Sequence, residues 1–159
     1  MSVEEDVTAL ATLPGPLIGL DLGTKTIGVA ASDALRLTAT AVETIKRTKF
    51  GVDAERLEAL MRARGASALV LGLPRNMDGS EGPRAQSTRA FARNFVQKTG
   101  ACIAFWDERL STIAAERALL EADTSRRKRE QVIDQVAAVL ILQGALDRLR
   151  VVTHADGRA

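Results

Sequence analysis

The stretch Leu17-Ile18-Gly19-Leu20-Asp21-Leu22-Gly23-Thr24-Lys25-Thr26-Ile27-Gly28-Val29-Ala30-Ala31-Ser32-Asp33 constrains this chain more than any other. Two short apolar runs, 17–20 and 27–31, each lead into an acid. The few residues between them leave room for a tight turn, so the runs are expected to pair as an antiparallel hairpin. Gly23 falls where the chain must reverse, and the missing Cβ lets another group approach the backbone. Asp21 therefore sits at the mouth of a buried strand, beside a small and partly basic turn. Two roles are open to it: a turn aspartate satisfied by neighbouring amides, or a carboxylate presented to a ligand.

The rest of the chain alternates. Residues 38–45, rich in Thr and Val, read as a third strand, and Lys46-Arg47-Thr48-Lys49 as a basic loop. Residues 52–64 place Val52, Leu57, Leu60 and Met61 near helical spacing, with acids early, arginines late and Gly65 as the cap. The wholly apolar run 68–73 is the mark of a strand covered on both faces. A loop over 75–83 leads into a helix over 84–98, and 102–106 is a further buried strand ending in Asp107-Glu108-Arg109. Ser111 can cap a helix reaching 121, the segment 123–130 is a polar and very basic connection, and 131–150 is the last helix. The predicted architecture is α/β: a mixed, five-stranded sheet flanked by helices on both faces. A flexible N-terminal arm (1–15) precedes one domain (16–150), and a short tail (151–159) follows it.

Composition narrows the chemistry. Lys and Arg number 22 against 20 Asp and Glu, so net charge alone does not announce a polyanionic partner. Tyrosine is absent, and four Phe and one Trp do not make rows of stacking platforms. Cys102 is the single cysteine, which excludes an internal disulfide; in its apolar run it reads as a buried structural thiol. His154 is the single histidine and lies in a polar tail, which argues against a His-based triad and a Cys/His zinc site. No apolar run approaches the roughly 20 residues that span a bilayer. The acidic start lacks the basic region of a signal peptide. A soluble cytoplasmic protein with no membrane partner is expected.

In sheets of this kind ligands bind beyond the carboxyl ends of the parallel strands. Asp21 ends one such strand and Asp107-Glu108 ends another. Asp134 is the unusual third acid, since its helix is mostly apolar and a carboxylate there is costly unless paired or bound to a cation. Oxygen ligands without histidine suit magnesium or manganese, which activate water and neutralise charge in phosphodiester displacement. The competing reading pairs Asp134 with an arginine from the 126–129 tract and leaves Asp107 and Glu108 in solvent.

Four ordered motifs carry a resemblance. They are residues 19–30; Gly72-Leu73-Pro74 with 76–83; Asp107-Glu108-Arg109-Leu110-Ser111-Thr112; and 133–143 around Ile133-Asp134-Gln135. Together they resemble the YqgF family of Holliday junction resolvase-like proteins, also described as pre-16S ribosomal RNA nucleases, over about residues 17–150. The resemblance implies a ribonuclease-H-like fold and a nuclease using two Mg2+ or Mn2+ ions. It implies Asp21, Glu108 and Asp134 as catalytic metal ligands, and a role in trimming the 5′ end of small-subunit ribosomal RNA. Thr26 departs from the family pattern, where many members carry arginine after the lysine. Thr24 and Lys25 are candidate phosphate contacts, as are Ser80 before its helix and Arg109. Arg126, Arg127, Lys128 and Arg129, with Lys46-Arg47-Lys49 and Arg84-Arg89-Arg93, form a candidate track for a nucleic-acid backbone.

The expected partner is thus an RNA precursor or branched DNA. Both present the same phosphodiester, and the sequence leaves monomer and homodimer open, although a symmetric junction favours a dimer. Two rivals remain: a non-catalytic nucleic-acid-binding or transcription-linked module, and a nucleotide hydrolase of the actin and sugar-kinase type. The latter closes two such domains over its nucleotide and needs a far longer chain.

Overall fold

The computed structural model describes residues 2–123 and 126–155; the side chains at 114, 120, 121, 123, 126–132, 154 and 155 lie outside the described residues. Among the described residues there are six strands: β1 (Ser2–Glu4), β2 (Leu17–Leu22), β3 (Thr26–Ser32), β4 (Ala39–Lys46), β5 (Ala68–Leu73) and β6 (Cys102–Asp107). They form one sheet in the order β1-β6-β5-β2-β3-β4. The half containing β1, β6, β5 and β2 is parallel, and β3 and β4 complete it antiparallel. The helices are α1 (Phe50–Arg64), α2 (Pro83–Thr99), α3 (Ile113–Asp123) and α4 (Arg126–Ala155). The hairpin read from the sequence is β2–β3, with Asp21 paired opposite Gly28.

Successive strand residues point to opposite faces, and this sorts the core into two layers. Ile18, Leu20 and Leu22 pack with Leu57, Phe91 and Phe95 beneath α1 and α2. Leu17, Ala30, Val70, Ala104 and Trp106 pack with Ala138, Ile141, Leu142 and Leu146 of α4. The two layers explain why every residue of β5 is buried. On the second face α4 lies almost against the sheet because glycines leave space for it. A Cβ on Gly28 would stand 2.0 Å from the Asp134 carbonyl oxygen, and one on Gly19 would stand 2.6 Å from Leu142 Cβ.

Four sequence expectations need correction. The sheet has six strands, because β1 pairs in parallel with β6. Residues 2–15 are accordingly no loose arm: Val7 and Leu10 are buried, and the Arg36 guanidinium donates to the carbonyls of Leu10, Leu13 and Gly15. That segment has neither a strand nor a helix period, and its partner strand lies about a hundred residues away, so local pattern could not reveal it. The basic tract 126–129 belongs to the first turn of α4 rather than to a connection, and α4 runs past 150 to Ala155, so the tail shortens. Cys102 is half-buried at the start of β6, where it accepts a hydrogen bond from the Ser2 hydroxyl at 3.8 Å.

Candidate active site

Alternation along β2 sends Asp21 to the same face as Leu17 and Gly19, toward α4. Along β6 it sends Trp106 to that face and Phe105 to the other. Asp107 follows Phe105: its carboxylate accepts from Arg109 at 2.7 Å and lies 3.8 Å from Arg75, on the α2 side. Glu108 opens a 3-10 turn (Glu108–Leu110) and comes back under α4, where its Oε2 would lie 2.9 Å from a Cβ on Gly72. The assignment of Glu108 rather than Asp107 to the rim thus rests on a one-residue difference in face.

Asp134 reaches the same rim from α4. Its backbone lies over Gly28, and its carboxylate oxygens would be 3.5 and 3.6 Å from a Cβ on Gly23. The Thr26 hydroxyl donates to Asp134 Oδ2, so the threonine that replaces the expected arginine orients an acid.

Arg117 of α3 ties the acids together. Its Nη2 donates to Asp21 Oδ1 at 2.9 Å and its Nη1 to Glu108 Oε1 at 2.9 Å. The Asp21 side chain is 3% exposed and that of Glu108 is 8% exposed. Burial therefore pushes the pKa of both acids up, against the opposing pull of Arg117 and Arg84; for Glu108 the charge of Asp21 adds to the rise. Arg117 responds in kind: its own burial disfavours charge, yet Asp21 and Glu108 hold it above the usual arginine range. Sequence reasoning missed this residue. The available signal was helical spacing, since Ile113 is buried and Arg117 lies one turn further along the same face.

A cavity of about 460 Å³ opens at this rim, lined by Asp21, Thr24, Lys25, Thr26, Arg84 and Asp134, with Arg117. Of the predicted phosphate contacts, Thr24 and Lys25 are therefore beside the acids. Ser80 is not in the lining: its hydroxyl donates to Asp78 at 2.6 Å and accepts from Asn76 at 2.9 Å. Arg109 is exposed and held by Asp107 and the Met77 carbonyl. The side chains of Arg126, Arg127, Lys128 and Arg129 lie outside the described residues.

Among the described residues no three His, Cys, Asp or Glu side chains are spaced as a ready metal cage. The donor chemistry nevertheless fits a hard divalent cation: the acids offer oxygen alone, and two of them are buried charges that demand a positive partner. Arg117 meets that demand here.

A relative from Cereibacter sphaeroides is 67% identical over 148 residues, covering 93% of this chain and 92% of its own, and is named "Putative pre-16S rRNA nuclease". One from Ruegeria pomeroyi, of the same name, is 64% identical, covering 94% and 96%. In fold, the chain is similar to Thermus thermophilus RuvC bound to a Holliday junction substrate, with TM-score 0.51, 11% identity, and 86% and 96% of the two chains covered. It is equally similar to the yeast mitochondrial Holliday junction resolvase Ydc2, with TM-score 0.51, 11% identity, and 93% and 86% covered. These likenesses confirm the ribonuclease-H-like fold. With the RuvX family model, described as "Holliday junction resolvase", matching residues 15–148, the chain belongs to the RuvX family, which is the YqgF family its motifs resemble.

Proposed function

We propose that this protein is a metal-dependent nuclease that hydrolyses phosphodiester bonds at the 5′ end of pre-16S ribosomal RNA in the cytoplasm. The observation that carries the reading is the gathering of Asp21, Glu108 and Asp134 at one end of the sheet, beside a cavity whose other charges are Lys25, Arg84 and Arg117. The names of the relatives support the ribosomal substrate. A binding module has no use for buried carboxylates at this rim.

Asp21, Glu108 and Asp134 would hold two Mg2+ or Mn2+ ions. Bound there, the ions supply an activated water and charge neutralisation on the phosphate. The chain's own residues do the positioning. Lys25 and Thr24, on the β2–β3 turn, set a phosphate against the acids. Arg84 places a positive charge at the same wall. Thr26 fixes the carboxylate of Asp134, and the packing of α4 on Gly28 fixes its backbone. In the reaction a water oxygen bonds to phosphorus, the bond from phosphorus to the leaving sugar oxygen breaks, and the leaving oxygen takes a proton.

The test is cleavage of a pre-16S RNA 5′ segment and of a four-way DNA junction, with magnesium and with manganese, by the parent and by Asp21→Asn. Metal-dependent cutting of the RNA, lost in Asp21→Asn, is expected. Cutting of the junction alone would move the substrate to branched DNA, the reading in the family's description. Binding without cutting of either would make the protein a module.

A further inference from the structure

A second cavity, of about 400 Å³, adjoins the first and shares Gly23, Thr24 and Arg84 with it; its other walls are Leu22, Arg47, Thr48, Ser87 and Thr88. We infer that this cavity is a phosphate subsite, which holds the backbone phosphate next to the one placed at the acids. The inference rests on the nucleic-acid substrate proposed above, and it adds a site that neither the acid cluster nor the comparisons assign.

The two cavities differ in charge. The first is walled by acids as well as bases, whereas no carboxylate lines the second. Its two guanidinium groups are held by neutral partners: Arg47 Nη1 donates to the Gly23 carbonyl at 2.7 Å and Arg84 Nη2 to the Leu22 carbonyl at 3.2 Å. Among the described residues neither arginine forms an ion pair, while Arg56, Arg75, Arg89, Arg109 and Arg117 all do. Arg47 is thus paired with no carboxylate, and Arg84 acts on Asp21 and Glu108 only at longer range; both keep N–H groups open, in the fork geometry that suits phosphate oxygens. Asp53, in the first turn of α1, is buried beneath Thr48 and accepts from its backbone N–H and hydroxyl, both at 3.3 Å. Hydroxyls of Thr24 and Ser87 add donors to the lining.

The anchoring is specific to the turn that carries the reaction residues. Arg47 and Arg84 come from β4's end and α2's first turn, and both grip the β2–β3 turn next to Asp21, Thr24 and Lys25. A strand seated with one phosphate at the acids runs over Thr24 and Arg84, the shared wall, and brings its neighbouring phosphate to Arg47. The chemistry required is a phosphate monoanion in a chain; a free phosphate ion offers the same atoms without the connection.

The experiment is equilibrium binding in chelator, so that cleavage plays no part, over a range of salt. The probes are a short single-stranded RNA oligonucleotide, a dinucleotide with one phosphodiester, and inorganic phosphate. The proteins are the parent, Arg47→Gln, Ser87→Asp and Arg64→Gln. Ser87 is exposed, so Ser87→Asp puts a negative charge in the cavity mouth without disturbing the Arg47 hydrogen bond; Arg64 is an exposed arginine at the end of α1. Arg47→Gln is expected to weaken the oligonucleotide about tenfold and to lower its log–log salt slope by about 0.7, the single-strand value for one phosphate. Ser87→Asp should do the same, and Arg64→Gln should leave both unchanged. The dinucleotide, too short to fill both cavities, should bind all four proteins alike. Equal losses for oligonucleotide and dinucleotide, or losses no larger than those of Arg64→Gln, would overturn the subsite. So would inorganic phosphate binding the parent as tightly as the oligonucleotide does. Because binding alone is read, a protein that fails to cleave can still pass, which separates this result from the nuclease test; a parent that binds no RNA overturns the subsite and leaves the nuclease test to stand on its own.

Discussion

Arg117 Nη2 lies 2.9 Å from Asp21 Oδ1, joining residues 96 positions apart, while the same guanidinium reaches Glu108 with its other nitrogen. One side chain from α3 thus bridges two acids, one in β2 and one just past the end of β6. It occupies the electrostatic place that a divalent cation takes in the proposed function.

Arg117→Met should therefore separate folding from ion binding. Removing one partner of a fully buried pair costs about 3–5 kcal/mol; with 23% of the Arg117 side chain exposed, a loss of about 2–3 kcal/mol in chelator is expected. Manganese should raise the melting temperature of the variant more than that of the parent, because no guanidinium competes for the acids. Calorimetric unfolding with and without metal checks both halves. A variant as stable as the parent in chelator would mean that the acids do not need this cation.

Asp21→Asn, Glu108→Gln and Asp134→Asn are each expected to abolish metal-dependent cleavage, with circular dichroism unchanged. Asp107→Asn should retain it, since that carboxylate faces Arg109 and Arg75 on the other side of the sheet. A dead Asp107→Asn with an active Glu108→Gln would reverse the ligand assignment.

Gly28→Ala tests the placement of Asp134. The added Cβ would stand 2.0 Å from a backbone oxygen, which cannot swing away as a side-chain tip can. Overpacking of this kind costs about 1–3 kcal/mol or more, and the shift of α4 should remove cleavage as well. Gly51→Ala is the control: nothing lies within 4 Å of its Cβ in α1. It should gain about 0.5–1 kcal/mol from helix propensity. Urea unfolding of both variants decides, and a neutral Gly28→Ala would mean that α4 is not seated as described.

Deleting residues 1–14 is expected to destabilise the fold by several kcal/mol, since burying a Val or Leu contributes about 1.5–3 kcal/mol each and the segment also supplies β1. Unchanged thermal unfolding of the truncated chain would restore the loose arm read from the sequence.

The same segment should carry a pH dependence. Hydrogen bonds from Arg89 hold the carboxyls of Glu5 and Glu81 below their ordinary value of 4.5. The folded state thus binds fewer protons than the unfolded one in that range. The contribution is present above pH 4.5 and is lost as pH falls through the lowered values. Arg89→Gln should reduce stability at pH 7 and narrow its gap to the parent as pH falls toward 3. A constant gap across that range would remove the ion pairs as its cause.

Period and spacing were enough to place β2 through β6, α1 and α2 in the sequence, because each is a local pattern: apolar runs ended by Gly, Pro or an acid, and for β4 a Thr- and Val-rich run ended by basic residues. The same patterns put Asp21 at a strand mouth and made Asp134 conspicuous on an apolar helix. Alternation put Asp107 and Glu108 on opposite faces, and the family resemblance, not the pattern, chose Glu108. The tertiary structure alone decided what is non-local. β1 forms because β6, about a hundred residues on, offers an open edge, and no periodicity in Ser2–Glu4 announces that. Arg117 reads in sequence as one more arginine on a helix surface. It becomes the counter-charge of the site only because α3 packs over two strand ends whose acids are shut off from water, where an unpaired charge is too costly to leave alone.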